Sequence, residues 1–346
     1  MSVCARCRTP ATLKCSRCQD VFYCGASCQK LDWKSHKDDC CTPQQAAILQ
    51  MGDQAAALRM LQDDADETLL RASYSGNLKK ATRAIAEGAN VNKKSELNRG
   101  FAPLHAASQH DHVEVVDLLL ASGADASATS LENNRLPLHY ASAQGSLRVV
   151  HSLVRHGVNV NEPSGAPDYA FTPIMWAAVH GHVAVVHALA AAGAVVDHVT
   201  HLGTTAIKAS VQNGQVEAVR ALVQLGVDVN RVAPQLEVAE TYLMMAAQLQ
   251  GPEMVSALLE GGALPNLIRP DGLPALHRAI DAQNPEVVRL LLAAGADANA
   301  VLFDDYTPLD MARERGNSAI VAMLVPLSNT RRRGKQGRRP RRGGSK

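Results

Sequence analysis

Ala102-Pro103-Leu104-His105-Ala106-Ala107 is followed, after a short polar turn, by Val113-Glu114-Val115-Val116-Asp117-Leu118-Leu119-Leu120 and then Gly123-Ala124-Asp125; the fold is read from this stretch. Its first six residues recur as Leu136-Pro137-Leu138-His139-Tyr140-Ala141 and Thr172-Pro173-Ile174-Met175-Trp176-Ala177. Weaker copies are Thr204-Thr205-Ala206-Ile207-Lys208-Ala209 and Thr241-Tyr242-Leu243-Met244-Met245-Ala246. Pro274-Ala275-Leu276-His277-Arg278-Ala279 and Thr307-Pro308-Leu309-Asp310-Met311-Ala312 complete the series. Measured on the last alanine, the steps are 34, 36, 32, 37, 33 and 33 residues, and a degenerate copy, Leu69-Leu70-Arg71-Ala72, lies 35 before the first. A fixed period of this length marks a chain built from stacked supersecondary units.

Each part of the unit has a physical role. A short polar residue caps a first helix, and proline is tolerated in that helix's first turn. The apolar run supplies the inward stripe of a second helix, which glycine then ends in the left-handed conformation. Gly157-Val158-Asn159, Gly193-Ala194, Gly226-Val227-Asp228, Gly262-Ala263 and Gly295-Ala296-Asp297 repeat that ending. The pattern resembles the ankyrin repeat, a unit of about 33 residues opening on T-P-L-H-x-A. The resemblance covers residues 66–327, with seven clear copies and an eighth expected, and implies a mainly α solenoid of helix-turn-helix repeats with hairpin loops. One unit cannot bury its own apolar face, so stability is expected to come from stacking. The steps of 36 and 37 predict longer hairpin fingers at Glu162–Phe171 and Arg231–Glu240, either partner contacts or neutral loop variation. His105, His139 and His277 occupy the slot where ankyrin histidines hydrogen-bond between repeats, and His180-Gly181-His182 falls in a helix–helix turn. These histidines are read as structural, Met244, Met245 and Trp176 as core filling, and Lys208 as a solvated lysine or one facing the groove.

All eight cysteines lie between Cys4 and Cys41, a clustering that fits a metal site better than a disulfide framework. The spacing is Cys4-x2-Cys7-x7-Cys15-x2-Cys18-x5-Cys24-x3-Cys28-x7-His36-x3-Cys40. Seven thiols and one imidazole supply two closed tetrahedra, the preference of structural zinc, with no position left for a catalytic water. About 40 residues bury too little surface to fold alone, and zinc binding of roughly 10–16 kcal/mol covers the deficit. The run Tyr23-Cys24-x3-Cys28-Gln29-x3-Trp33-x2-His36-Lys37-x2-Cys40 resembles a MYND zinc finger; its Cys-Gln-x3-Trp segment favours that family over another cross-braced finger such as a RING. The resemblance implies interleaved ligands: Cys4, Cys7, Cys24 and Cys28 on one ion, Cys15, Cys18, His36 and Cys40 on the other, with Cys41 in surplus. It also implies a groove for short proline-rich peptides, lined by Gln29 and Trp33, although Trp33 is equally read as filling the finger's small core.

Charge is segregated. Residues 42–330 carry 19 Lys/Arg against 29 Asp/Glu, and the last 16 residues carry nine Lys/Arg and no acid. The expected organisation is a finger over 1–41, a helical linker over 42–65, the repeats over 66–327 and a disordered basic tail over 328–346, which lacks the apolar content to order itself. That tail is read as a nuclear-import address, a nucleic-acid arm or a solvated end. No apolar run approaches the roughly 18 residues of a membrane span. The first residues also lack a secretory signal. The expectation is an intracellular protein of cytoplasm or nucleus, without membrane association and monomeric. Phosphate loops and a G-x-S-x-G elbow are absent, no cysteine lies outside the finger, and repeats stand where a SET-type methyltransferase domain would have to be. The sequence therefore predicts a non-catalytic protein-protein adaptor; the alternative is a nucleic-acid-associated regulator acting through its tail. Metal analysis of the freshly reduced chain should return two zinc ions. Cys15→Ser should lose one of them and melt the finger while leaving the helical circular dichroism of the repeats unchanged.

Overall fold

In the computed structural model, the described residues are 54–95, 100–165, 170–231, 240–267, 273–301 and 306–328, together with two short strands. The strands, β1 (Leu13–Lys14) and β2 (Phe22–Tyr23), pair antiparallel with Leu13 opposite Tyr23 and Lys14 opposite Phe22. The expected zinc ligands, Gln29, Trp33, residues 42–53 of the linker and residues 329–346 of the tail lie outside the described residues.

Sixteen α-helices among the described residues follow one another two to a repeat. They are α1 (Gln54–Ser75) with α2 (Leu78–Ala86), α3 (Pro103–Gln109) with α4 (Val113–Ala121), α5 (Pro137–Gln144) with α6 (Leu147–Arg155), and α7 (Pro173–Val179) with α8 (Val183–Ala191). There follow α9 (Ala206–Gln212) with α10 (Val216–Gln224), α11 (Tyr242–Leu249) with α12 (Pro252–Glu260), α13 (Ala275–Asp281) with α14 (Pro285–Ala293), and α15 (Pro308–Glu314) with α16 (Ser318–Leu324). The chain divides into two compact units, residues 1–107 with 114–125, and residues 108–113 with 126–346. In the first unit α1 packs on α2. Helix α1 runs unbroken through position 65, where the sequence places a boundary between linker and repeats. Its residues include no proline or glycine, so nothing in its composition interrupts it.

In the second unit the first helices α5, α7, α9, α11, α13 and α15 pack in one row, and the second helices α6 to α16 in another. Alanine closes the first row: Ala141, Ala177, Ala246, Ala279 and Ala312 are fully buried, and Ala209 nearly so. Leucine, valine and isoleucine fill the space between rows, as at Leu138, Val150, Leu153, Ile174, Leu189, Leu222, Leu258 and Leu291. The glycine that ends every second helix but the last is left-handed as expected, for instance Gly193 at φ 89° and Gly226 at φ 87°. The threonine caps are present at Thr205, Thr241 and Thr307, each accepting from the backbone N–H three residues on.

Neighbouring repeats are also clasped by asparagine. Asn161 Nδ2 donates to the Gly193 carbonyl (3.1 Å) while its Oδ1 accepts from Val195 N–H (2.7 Å). Asn230 does the same to Gly262 (3.0 Å) and Leu264 (2.9 Å), and Asn266 to Gly295 and Asp297, both at 2.8 Å. Within the first unit Asn92 holds Gly123 (3.2 Å) and Asp125 (2.7 Å). At the equivalent position between the fourth and fifth pairs the residue is Asp197. A carboxylate has no N–H to give a glycine carbonyl. Its Oδ1 is buried without a partner, and Arg231 Nη1 instead reaches the Asp197 backbone carbonyl at 3.1 Å. Asp197→Asn should restore the clasp and raise unfolding stability by about 1 kcal/mol, read as a higher denaturant midpoint. Asn230→Ala, which removes two such bonds, should lower it by about 1–2 kcal/mol.

Candidate interaction face

The histidine of each motif stands at the third position of a first helix, where its ring can turn back to the helix start. His105 Nδ1 accepts from Ala102 N–H at 3.2 Å and His139 Nδ1 from Leu136 N–H at 2.9 Å. An accepting Nδ1 leaves the proton on Nε2, and His139 Nε2 donates to the Glu162 carbonyl of the next repeat at 2.9 Å. His277 departs from the expected role. Both of its ring nitrogens are buried without a hydrogen bond; Nδ1 lacks its donor because the residue starting its helix is Pro274, which has no N–H to offer. Burial pushes its pKa down to about 4.

The other turn histidine is a packing element. His182 Nε2 reaches the Ala143 carbonyl at 3.0 Å. Its ring occupies the space a side chain at Gly145 would need: a Cβ there would stand 2.5 Å from Nδ1. Gly145 also has φ 77°, so steric closure and backbone conformation both require glycine. Among the described residues no group of three or more His, Cys, Asp or Glu side chains could hold a metal ion.

The residue before the motif alanine varies from repeat to repeat, and the row of first helices places Tyr140, Trp176, Lys208, Met245, Arg278 and Met311 at one register position in consecutive repeats. Tyr140 and Met245 are buried, whereas Trp176, Lys208, Arg278 and Met311 are half-buried. The core role expected of Met244 and Met245 is observed; Trp176 fills the core only in part, with its Nε1 buried and the ring as a whole half-buried. The Arg135 guanidinium lies 4.0 Å from the Trp176 ring centroid and 5.7 Å from that of Tyr140. Phe171 meets the Trp176 ring edge-on at 5.5 Å and His180 stacks against it at 6.1 Å. Burial lowers the His180 pKa, and the nearby His182 and Arg135 lower it further.

Three repeats on, Arg278 Nη2 pairs with Glu240 at 2.6 Å and its Nη1 bonds the Gln248 side chain. Lys208 faces the same carboxylate from the other side. Burial holds its amine below the usual range, and Glu240 alone pulls it back. Of the two long fingers, Glu162–Phe171 and Arg231–Glu240, the described ends contribute Phe171 and Glu240 to this face, while 166–169 and 232–239 lie outside the described residues. The motif slot holding Trp176, Lys208 and Arg278 is visible in the sequence. Arg135 is missed there, because its hairpin position has no motif to flag it.

Comparison with known proteins agrees with this architecture. The family model described as ankyrin repeats (3 copies) matches residues 69–164, 138–233 and 243–333, and the MYND finger model matches residues 4–40. The ankyrin repeat domain of human ASB11 superposes with a TM-score of 0.57 at 25% identity, covering 66% of this chain and 97% of that one. An ankyrin repeat domain-containing protein, SAT10, of Stachybotrys chartarum is 27% identical over 208 residues, 60% of this chain and 10% of its own length. Ubiquitin carboxyl-terminal hydrolase 15 of Arabidopsis thaliana is 51% identical over 41 residues, 12% of this chain and 4% of its own. The chain thus spans a tenth or less of these two curated relatives. No helix among the described residues is long and apolar enough to cross a membrane.

His277 gives the fold a pH dependence of definite sign. Its folded value lies below the ordinary 6.5, so the unfolded chain binds the extra proton. Stability is complete above about pH 6.5 and falls as the pH drops toward 4, by up to about 3 kcal/mol. His277→Leu should flatten that acid limb in denaturation midpoints measured between those pH values.

Proposed function

Because the chain belongs to the ankyrin-repeat family and carries a MYND zinc finger ahead of the repeats, we propose that it is a non-catalytic adaptor whose two modules hold different proteins. Both modules are of kinds that bind proteins, and the finger is a zinc-binding one. The observation that carries the reading is the face built on Trp176, Lys208 and Arg278: side chains in a slot that the fold leaves variable, half-buried, on a rigid row of helices. Such a row binds without reordering its backbone, which limits the entropy lost on association.

In this reading the finger holds two structural zinc ions, one on Cys4, Cys7, Cys24 and Cys28 and one on Cys15, Cys18, His36 and Cys40. Gln29 and Trp33 line its peptide groove, and proline-rich segments suit such a groove because their extended helix is already ordered. The finger occupies 1–41, and the tail 328–346 follows the last repeat as a separate basic segment. The chain acts as a monomer in the cytoplasm or the nucleus. The second reading, contact with nucleic acid, rests on the nine Lys/Arg of the last 16 residues and would weaken steeply with salt.

Full-length protein used as bait should capture two sets of partners from cell extract. One set should be lost on Cys15→Ser and the other on substitution of the stack face; if both variants capture what the parent does, the adaptor reading fails. Against a proline-rich peptide array, Trp33→Ala should weaken binding by about tenfold while the zinc content stays unchanged.

A further inference from the structure

Within the second unit the helix pairs pack along the same two rows, yet the directional bonds across their joins are unevenly distributed. Between the third and fourth pairs Asn161 clasps the join with both of its side-chain atoms, and His182 reaches the Ala143 carbonyl. Between the fifth and sixth stand the Asn230 clasp, the Thr205–Tyr242 hydroxyl pair at 2.9 Å and the Arg220–Glu260 ion pair. Asn266 clasps the next join, which the Arg278 ion pair to Glu240 also crosses. At the last, Arg315 pairs with Asp281 and Asn299 Nδ2 donates to the Leu327 carbonyl at 3.0 Å.

The join of the fourth and fifth pairs differs. Among the described residues two side-chain bonds cross it, Ser210 Oγ to the Ala178 carbonyl at 3.2 Å and Arg231 Nη1 to the Asp197 carbonyl at 3.1 Å. Ser210 Oγ also donates to Ala206 of its own helix at 2.8 Å, and a hydroxyl has one hydrogen to divide between the two. Where a clasp would stand, Asp197 Oδ1 is buried without a partner. The closed join therefore holds a desolvated oxygen with no bond to offset the lost water, and opening returns that water. Apolar packing continues across the join, α7 on α9 and α8 on α10. Such packing is non-directional, so it holds the two sides together without locking one to the other.

We infer that this join is a built-in boundary at which the second unit opens as two blocks, the third and fourth pairs on one side and the fifth to eighth on the other. In a linear array stability is a sum over repeats and joins, so cooperativity breaks where a join contributes least. The block of two pairs has one internal join and the block of four has three, so the smaller block opens first. That opening withdraws Trp176 from the candidate face while Lys208 and Arg278 stay in place. A partner that grips both blocks favours the closed state, and one that grips only the larger block leaves the smaller free to open. This last consequence rests on the adaptor reading; the boundary itself does not.

The test is hydrogen exchange of the full-length chain in rising, sub-denaturing urea, resolved by segment with mass spectrometry. Peptides from α5 to α8 should share one opening free energy and those from α9 to α14 a higher one, with the step falling within residues 192–205. Asp197→Asn, which supplies the missing clasp, should slow exchange in the α5 to α8 segment about fivefold and bring the two values together. Arg231→Met removes a bond across the same join and should widen the step; it carries the test if the asparagine variant does not fold. A single opening free energy from α5 to α14, or a step at another join, would overturn the inference. So would Asp197→Asn slowing every segment equally, since the join would then be no boundary. The step is measured in the free chain, so its presence or absence is independent of the adaptor reading, which partner capture tests by itself.

Discussion

Every feature of the repeat stack depends on the close approach of neighbouring first helices at the motif alanine. Ala141, Ala177, Ala246, Ala279 and Ala312 are completely buried, and at such contacts even one added methylene is felt. That approach brings the start of each first helix within reach of its neighbours. His139 can then bond the Glu162 carbonyl, and His182 can cover Gly145. It also sets the spacing at which Asn161, Asn230 and Asn266 reach a glycine carbonyl in the following repeat. Hydrophobic burial between the rows supplies the driving force, and these polar bonds fix the register in which the repeats stack.

The same constraint separates positions that can vary from positions that cannot. The residue just before the alanine is tyrosine, tryptophan, lysine, methionine or arginine in successive repeats, buried at Tyr140 and Met245 and half-buried at Trp176, Lys208, Arg278 and Met311. Where the register bonds are broken the cause is local and chemical. Asp197 lacks the donor that asparagine would bring, and Pro274 deprives His277 of the N–H its ring would accept. Both lie in the second unit, on either side of the finger whose 232–239 segment falls outside the described residues.

Much of this was legible in the residues alone. The recurring Pro-Leu-His-x-Ala segment, the apolar run and the glycine each report a local demand: a helix start, a buried stripe, a left-handed ending. Local demands survive in sequence because the side chain that meets them is also the side chain that is read. The threonine caps at Thr205, Thr241 and Thr307 and the left-handed Gly193 and Gly226 are of this kind. The family assignment of the finger belongs here too, since metal-ligand spacing is a local property of the chain.

What only the tertiary structure decided is the set of relations between residues about one repeat apart. His277 carries the same motif as His139, yet its Nδ1 is left without a donor because of a neighbour whose missing N–H matters only once the ring turns back over the helix start. Arg135 has no motif at all, and it becomes part of a face only when the stack lays it over Trp176, 41 positions later. Glu240 gains its meaning from standing between Lys208 and Arg278, one repeat on either side. A periodic sequence determines which residue types occupy each slot of a repeat. The charge and shape of the assembled face depend on distances between slots, and those exist only after the repeats have packed.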